Sequence, residues 1–219
     1  MFSFLSPDSK FMVFVSRFAD LIVLNLLFVF TSLPVFTVGA GCAALYTLSF
    51  RMLRSREAGI AKAYFRAFRD NFRQGTMLWL LFLFFFLPGL LYFDALYHME
   101  SMLRYLFALC LLILVLAVFL AAYAFPWISQ FRNPTGEVLR NSLILSLTNL
   151  PRTVCVCAVN LLPWILLAVK PDFFLKISFL LLALYFSAAA YINTALLWKI
   201  FKPYYPEDLQ NPCVLFPQL

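Results

Sequence analysis

Charge is what this chain has least of: Asp, Glu, Lys and Arg together make up 12% of its 219 residues, and there is a single histidine. A soluble domain carries about 25% charged residues, so half the usual supply cannot cover a water-facing surface. Glycine is scarce as well, with six residues, and none forms a phosphate-cradling loop. There is no G-x-S-x-G and no H-E-x-x-H. His98 sits in a short polar stretch with Asp94 and Glu100, where a solvated loop is the simpler reading than a metal site. No Ser, His and carboxylate can be placed at one depth. These absences argue against an enzyme, and nothing calls for a cofactor or a metal. The five cysteines, Cys42, Cys110, Cys155, Cys157 and Cys213, are odd in number and lack compact spacing, which excludes a disulfide framework. Cys155 and Cys157 have no further Cys or His beside them to complete a four-ligand site.

What is present is apolar. Hydrophobic residues make up 64% of the chain and aromatics 19%, with 27 Phe. Lipid is the solvent that accepts such a composition. The net charge of +7 reads as basic residues marking cytoplasmic loops, not as a nucleic-acid surface. The start, Met1 to Lys10, lacks a basic region before an apolar core, so the first membrane helix is expected to act as the insertion signal.

The charges divide the chain. Uncharged runs of 30, 20, 27, 17 and 22 residues lie between Asp20 and Arg51, Arg73 and Asp94, Arg104 and Arg132, Arg152 and Lys170, and Lys176 and Lys199. A span needs about 20 apolar residues, and backbone in lipid must bond within its own segment. Runs such as Leu78–Leu87 do not alternate as barrel strands would. The expectation is an all-α, polytopic membrane protein, one domain over 1–219. Its spans are 21–50, with a kink at Pro34, then 75–93, 105–130, 153–169 and 177–198. Inner loops occupy 51–74 and 131–152. The first run is long for one helix, and two short helices meeting at Pro34 are the alternative, which would reverse the position of the N-terminus.

Counting by loop, the inner segments hold 12 of the 17 basic residues and the outer segments five. The positive-inside rule then predicts the N-terminus outside and the C-terminus in the cytoplasm. In the first inner loop, Gly59 to Gln74 reads as an amphipathic helix. Lys62, Arg66, Arg69 and Arg73 fall within a ~60° arc, with Phe65, Phe68 and Phe72 beside them. Such a helix suits the bilayer surface, with cations on anionic headgroups; a docking face for a cytoplasmic partner is the functional alternative. The second loop has a similar plan. Tyr46–Thr76 and Tyr123–Thr153 are equal in length, and Gly59 and Gly136 match in position, which suggests a parallel repeat.

Ionisable groups inside the spans are almost lacking. Asp20 stands at the edge of the first span, with Arg17 one turn earlier as a pairing candidate. Asn25, Asn160 and Asn193 read first as cross-links between helices and second as the lining of a substrate path.

The runs Arg17-Phe18-Ala19-Asp20, Leu24-Asn25-Leu26-Leu27, Ser32 to Ala40 and Ala44-Leu45-Tyr46, followed by Phe65 to Thr76, resemble the YesL family of small bacterial membrane proteins of unassigned function. The resemblance covers residues 17–80. It implies a bacterial cytoplasmic membrane and association with carbohydrate ABC transporters. It carries over no catalytic residue. The positions it marks are Asp20, Asn25, Pro34, Thr37, Gly39, Tyr46, Asn71, Phe72 and Gln74. Three roles stay open: an accessory or scaffold protein for sugar uptake, a transporter of small molecules, and a membrane enzyme.

Overall fold

The computed structural model describes the backbone of residues 10–54, 59–97 and 103–205, and the side chains of these except 10–14, 88–97, 103–107 and 110. The polar set Asp94, His98 and Glu100 therefore lies outside the described side chains, as do Cys110 and Cys213. Among the described residues all regular structure is helical: α1 (Lys10–Thr31), α2 (Val38–Arg54), α3 (Ile60–Tyr97), α4 (Leu103–Ile128), α5 (Thr135–Thr148), α6 (Leu150–Val169), α7 (Pro171–Leu180) and α8 (Phe186–Phe201). Short 3-10 turns occupy Val35–Thr37 and Lys202–Tyr204, and a π-helical segment, Leu181–Tyr185, joins α7 to α8. Four stretches among the described residues are long and apolar enough to cross a membrane: Val35–Arg54, Leu111–Ile128, Leu150–Val169 and Pro171–Tyr204.

The first apolar run is not one kinked span. It is a hairpin. Helix α1 stops at Thr31, Pro34 is extended (φ −75°, ψ 112°), and the chain turns back through the 3-10 turn into α2. Pro34 has no amide to continue the helix, and its ring biases Leu33 away from the helical region. The antiparallel course shows in two contacts. Near the open end, an Arg17 amino group donates to Met52 O at 2.5 Å. Near the turn, Phe28 and Ser32 press on Gly41. The start of α1 and the end of α2 thus share one end of the bundle, where a single kinked span would have set them at opposite ends.

The second departure is in α3. The expected helix of Gly59–Gln74 forms, and Gly59 (φ 83°) supplies the left-handed residue that precedes it. No break separates it from the next span, so α3 runs 38 residues without interruption. Gln74-Gly75-Thr76 contains nothing that removes a helical hydrogen bond. The second inner loop does: Pro151 sits in the first turn of α6, and Asn149 (φ −118°, ψ 43°) separates α5 from α6. The two proposed repeat copies therefore agree in a buried tyrosine, Tyr46 and Tyr123, but differ in whether the inner helix is fused to its span.

Helices α2 and α3 pack antiparallel, and their closest approach is Gly39 on Gly75. A Cβ on Gly39 would lie 2.2 Å from Gly75 O and 2.5 Å from Trp79 Cβ. Helix α8 runs parallel to α2, as Tyr46 meets Asn193, Phe50 meets Trp198 and Phe201, and Arg54 lies 4.0 Å over the Tyr205 ring. The end of α4 joins this group: Thr47 donates to Ser129 O, and Gln130 Oε1 accepts from Arg54 and from Tyr205. Burial is concentrated there. The most apolar window around α2 is 72% buried, against 17% for α6 and 17% for the α7–α8 stretch.

Alanine at Gly39 is expected to lower the thermal unfolding midpoint in detergent, because backbone must move to admit it; overpacking costs about 1–3 kcal/mol. Gly136→Ala, where nothing lies within 4 Å of the added carbon, is expected to leave the midpoint unchanged or slightly raised. Equal melting curves for the two variants would remove the special status of the Gly39 contact.

Candidate functional site

Most of the positions marked in the sequence gather on the first hairpin and on what holds it. At the turn, Thr37 is buried, and its hydroxyl donates to Thr31 O at 2.5 Å and to Pro34 O at 2.7 Å. Pro34 itself is exposed, and its carbonyl also accepts from the Thr37 amide at 2.9 Å. Trp79, on α3, donates from Nε1 to Val35 O at 2.7 Å. Thr31 shares a 2.7 Å hydrogen bond with the Tyr64 hydroxyl. A reversal of direction strips carbonyls of their helical partners, and here side chains replace them one by one. Trp79, Tyr64 and Gly75 were not singled out for this. Their signal is weak, since Trp and Tyr are ordinary in such a composition.

Half-way down α1, Asn25 is fully buried against the π segment. Its Nδ2 donates to Leu182 O at 2.5 Å, and its Oδ1 accepts from the Ser187 amide at 3.0 Å. Those two backbone groups are five residues apart, the pair that a π-helical hydrogen bond would join. The amide of Asn25 is inserted between them and makes both bonds in its place. A widened helical turn leaves polar backbone unpaired, and a side chain entering the ladder is one of the few ways to repair it. The sequence has no proline or glycine at 181–185 to announce the π segment.

A third polar group lies between α2, α6 and α8. Asn193 Nδ2 donates to Asn160 Oδ1 at 2.9 Å and to the Tyr46 hydroxyl at 3.3 Å, while Asn193 Oδ1 is buried without a partner. The Tyr185 hydroxyl donates to Val159 O close by. The amides thus bridge helices, as their first reading held, and the described cavity of ≈ 330 Å³ lies elsewhere. It opens at the end where α4 and α5 meet, between Trp127, Phe131, Asn141, Leu145 and Tyr204.

The remaining marked residues divide. Asp20 is half-exposed, and Arg17, its expected partner, directs its hydrogen bond to the end of α2. A cation there satisfies an orphan carbonyl and complements the helix dipole. Asn71 bonds Ala67 O in its own helix, and Phe72 is exposed against Phe68. Gln74 reaches across to Asn133 O at 2.8 Å, tying α3 to the approach of α5. Lys62, Arg66, Arg69 and Arg73 are all exposed on one side of α3, while Ile60, Tyr64, Ala67 and Leu78 bury the opposite side. The cations therefore belong to a helix docked on the bundle, and the expected aromatic face is only partly lateral: Phe65 and Phe72 are exposed, Phe68 is half-buried. Cys155 is exposed and Cys157 buried, so the two face different ways. Among the described residues no three metal-ligating side chains come together.

A family model described as a protein of unknown function, DUF624, matches residues 21–95. The match spans the hairpin, the Gly39–Gly75 contact and the cationic face, and stops before the π segment. No curated protein and no solved structure matches.

Replacing Asn25 by Ala leaves Leu182 O and the Ser187 amide unpaired among apolar side chains, at roughly 1–3 kcal/mol for each group. The variant is expected to melt well below wild type in detergent, and below Asn160→Ala, whose loss opens no backbone bond. Asn25→Asp keeps the acceptor for Ser187 and loses the donor to Leu182, so it should fall between wild type and Asn25→Ala.

Proposed function

We propose that this chain is an accessory or scaffold protein of a bacterial cytoplasmic membrane that acts by protein contact, with components of a carbohydrate ABC transporter as the partner class. The observation that carries the contact role is the exposed row Lys62, Arg66, Arg69 and Arg73 on a helix whose other side is fixed to the bundle. A rigid, single-sign face of this kind suits an acidic surface and gives specificity through complementary charge. The partner class and the bacterial setting rest on the family resemblance. No catalytic role is proposed. The amides that could have lined a substrate path are occupied with one another and with backbone.

We place the basic end in the cytoplasm. With α1 folded back, Lys10 and Arg17 join the 12 basic residues of the inner segments, and three remain outside, Arg104, Lys170 and Lys176. The bias is stronger than for a single first span, and it puts both ends of the helical bundle, α1's start and α8's end, on the cytoplasmic side.

A transporter is the second reading. It is favoured by the interrupted α7–α8 helix and by the unpartnered Asn193 Oδ1, since broken helices mark substrate sites in transporters. Uptake of oligosaccharides into proteoliposomes above background would move the assignment to it.

Affinity purification from native membranes in mild detergent is expected to recover transporter components with the wild-type chain. A variant with Lys62, Arg66, Arg69 and Arg73 all replaced by Gln is expected to lose them while keeping its elution volume. Recovery of no transporter component with the wild type would reject the partner class. Undiminished recovery with the variant would reject the cationic face as the contact.

A further inference from the structure

We propose that the α1–α2 hairpin is re-entrant: it enters the bilayer from the basic end, turns among the acyl chains of the nearer leaflet, and returns without crossing. By length and composition alone Val35–Arg54 qualifies as a span. Its height in the bundle argues otherwise. The turn lies beside Gly75 and Trp79 of α3. From Trp79, α3 continues 18 residues to Tyr97, about 27 Å at 1.5 Å per residue. Helix α4 outruns the turn as well. Its Phe125 ring is 6.3 Å from Trp79, and it begins 22 residues earlier, at Leu103, about 33 Å away. Two helices thus extend past the turn by about the thickness of the hydrocarbon core.

Charge fixes where that core lies. The half of α3 that runs alongside α2 is the half that carries Lys62, Arg66, Arg69 and Arg73, all exposed. A bilayer centred on α2 would hold these four cations at hydrocarbon depth, the costliest place for them. A bilayer over the uncharged run of 20 residues between Arg73 and Asp94 holds none. Helical side chains lean toward the N-terminus, so Arg69 and Arg73 reach away from the core. In that position the turn dips just inside the leaflet at the basic end.

The turn is built for that medium. Phe30, Leu33, Val35 and Phe36 are 66%, 71%, 64% and 52% exposed, and all are apolar. In water they would form a bare hydrophobic tip. Irregular backbone survives at lipid depth only when its polar groups are paired within the protein. Thr31 O, Pro34 O and Val35 O are paired in this way, by Thr37 and Trp79. The partner of this surface is therefore the acyl chains of one leaflet, and the hairpin is a wedge in it.

The test is depth by spin labelling in proteoliposomes, with the native cysteines replaced by Ala. A nitroxide on Leu33→Cys is expected to collide with oxygen more than with a water-soluble nickel chelate, as at the exposed Ile165→Cys in mid-α6. A label on Asn133→Cys, exposed at the basic end, should show the reverse. Phe36→Cys, on the other arm of the turn, serves if the Leu33 variant does not elute as a single species. Nickel-chelate collisions at residue 33 or 36 equal to those at Asn133 would place the turn in water, and would overturn the proposal whichever side it emerged on.

Discussion

The approach of Gly39 to Gly75 sets the height of everything that matters in this bundle. Between helices in lipid there is no hydrophobic gain, because acyl chains are as apolar as leucine, so close backbone packing has to hold the pair together. The approach leaves no room for a Cβ on either glycine: one on Gly75 would lie 2.9 Å from the Ala40 backbone. That register carries Trp79 to the only place from which it can reach Val35 O. It also aligns the cationic half of α3 with α2, which decides how deep both lie. A side chain at either glycine would shift all three relations together.

Helix α1 is then held by polar contacts at three levels. Thr31 and Thr37 close the turn, Asn25 grips the π segment, and Arg17 meets the end of α2. Most of these use backbone carbonyls as acceptors. Such bonds specify register in a way that apolar packing does not, because a slide of one residue leaves a donor facing carbon. The exposed side of α1, with Val23, Leu26 and Phe30, adds little to that specificity.

The charge pattern made the helical class and the positions of most helices legible. Asp20, Arg51, Arg73, Arg104, Arg132, Arg152 and Lys199 each stand within a few residues of a helix end or a change of environment. The turn at Pro34 was legible as an alternative only, since a proline either kinks or ends a helix. What decides between them is tertiary: Arg17 finding Met52, and Phe28 finding Gly41. The π segment was not legible at all, because its cause is Asn25, 157 residues before the carbonyl it binds. The continuity of α3 could have been read from the want of any breaker at 74–76, but the periodic cations directed attention to a surface helix instead. Asn25, Thr37 and Gly39 were legible as positions, through the resemblance, and illegible as chemistry.

The two inner helices differ mechanically, and the difference bears on how a contact at the basic end would be felt. In α3 the cationic face, the Gly75 contact and Trp79 belong to one unbroken helix, so a pull on Arg66 or Arg69 is a pull on the turn. Bending it would cost several helical hydrogen bonds at once. In the second loop, Pro151 and the non-helical Asn149 place a joint between α5 and α6. Displacement of α5 is absorbed at that joint, and reaches the rest of the bundle mainly through α4 and through the bond from Gln74 to Asn133 O. A partner docked on α3 therefore acts on the depth of the hairpin, whereas one docked on α5 acts on the cavity beside Trp127. The asymmetry follows from one proline, and it assigns to α3 the part of a lever between the exposed charges and the lipid-embedded turn.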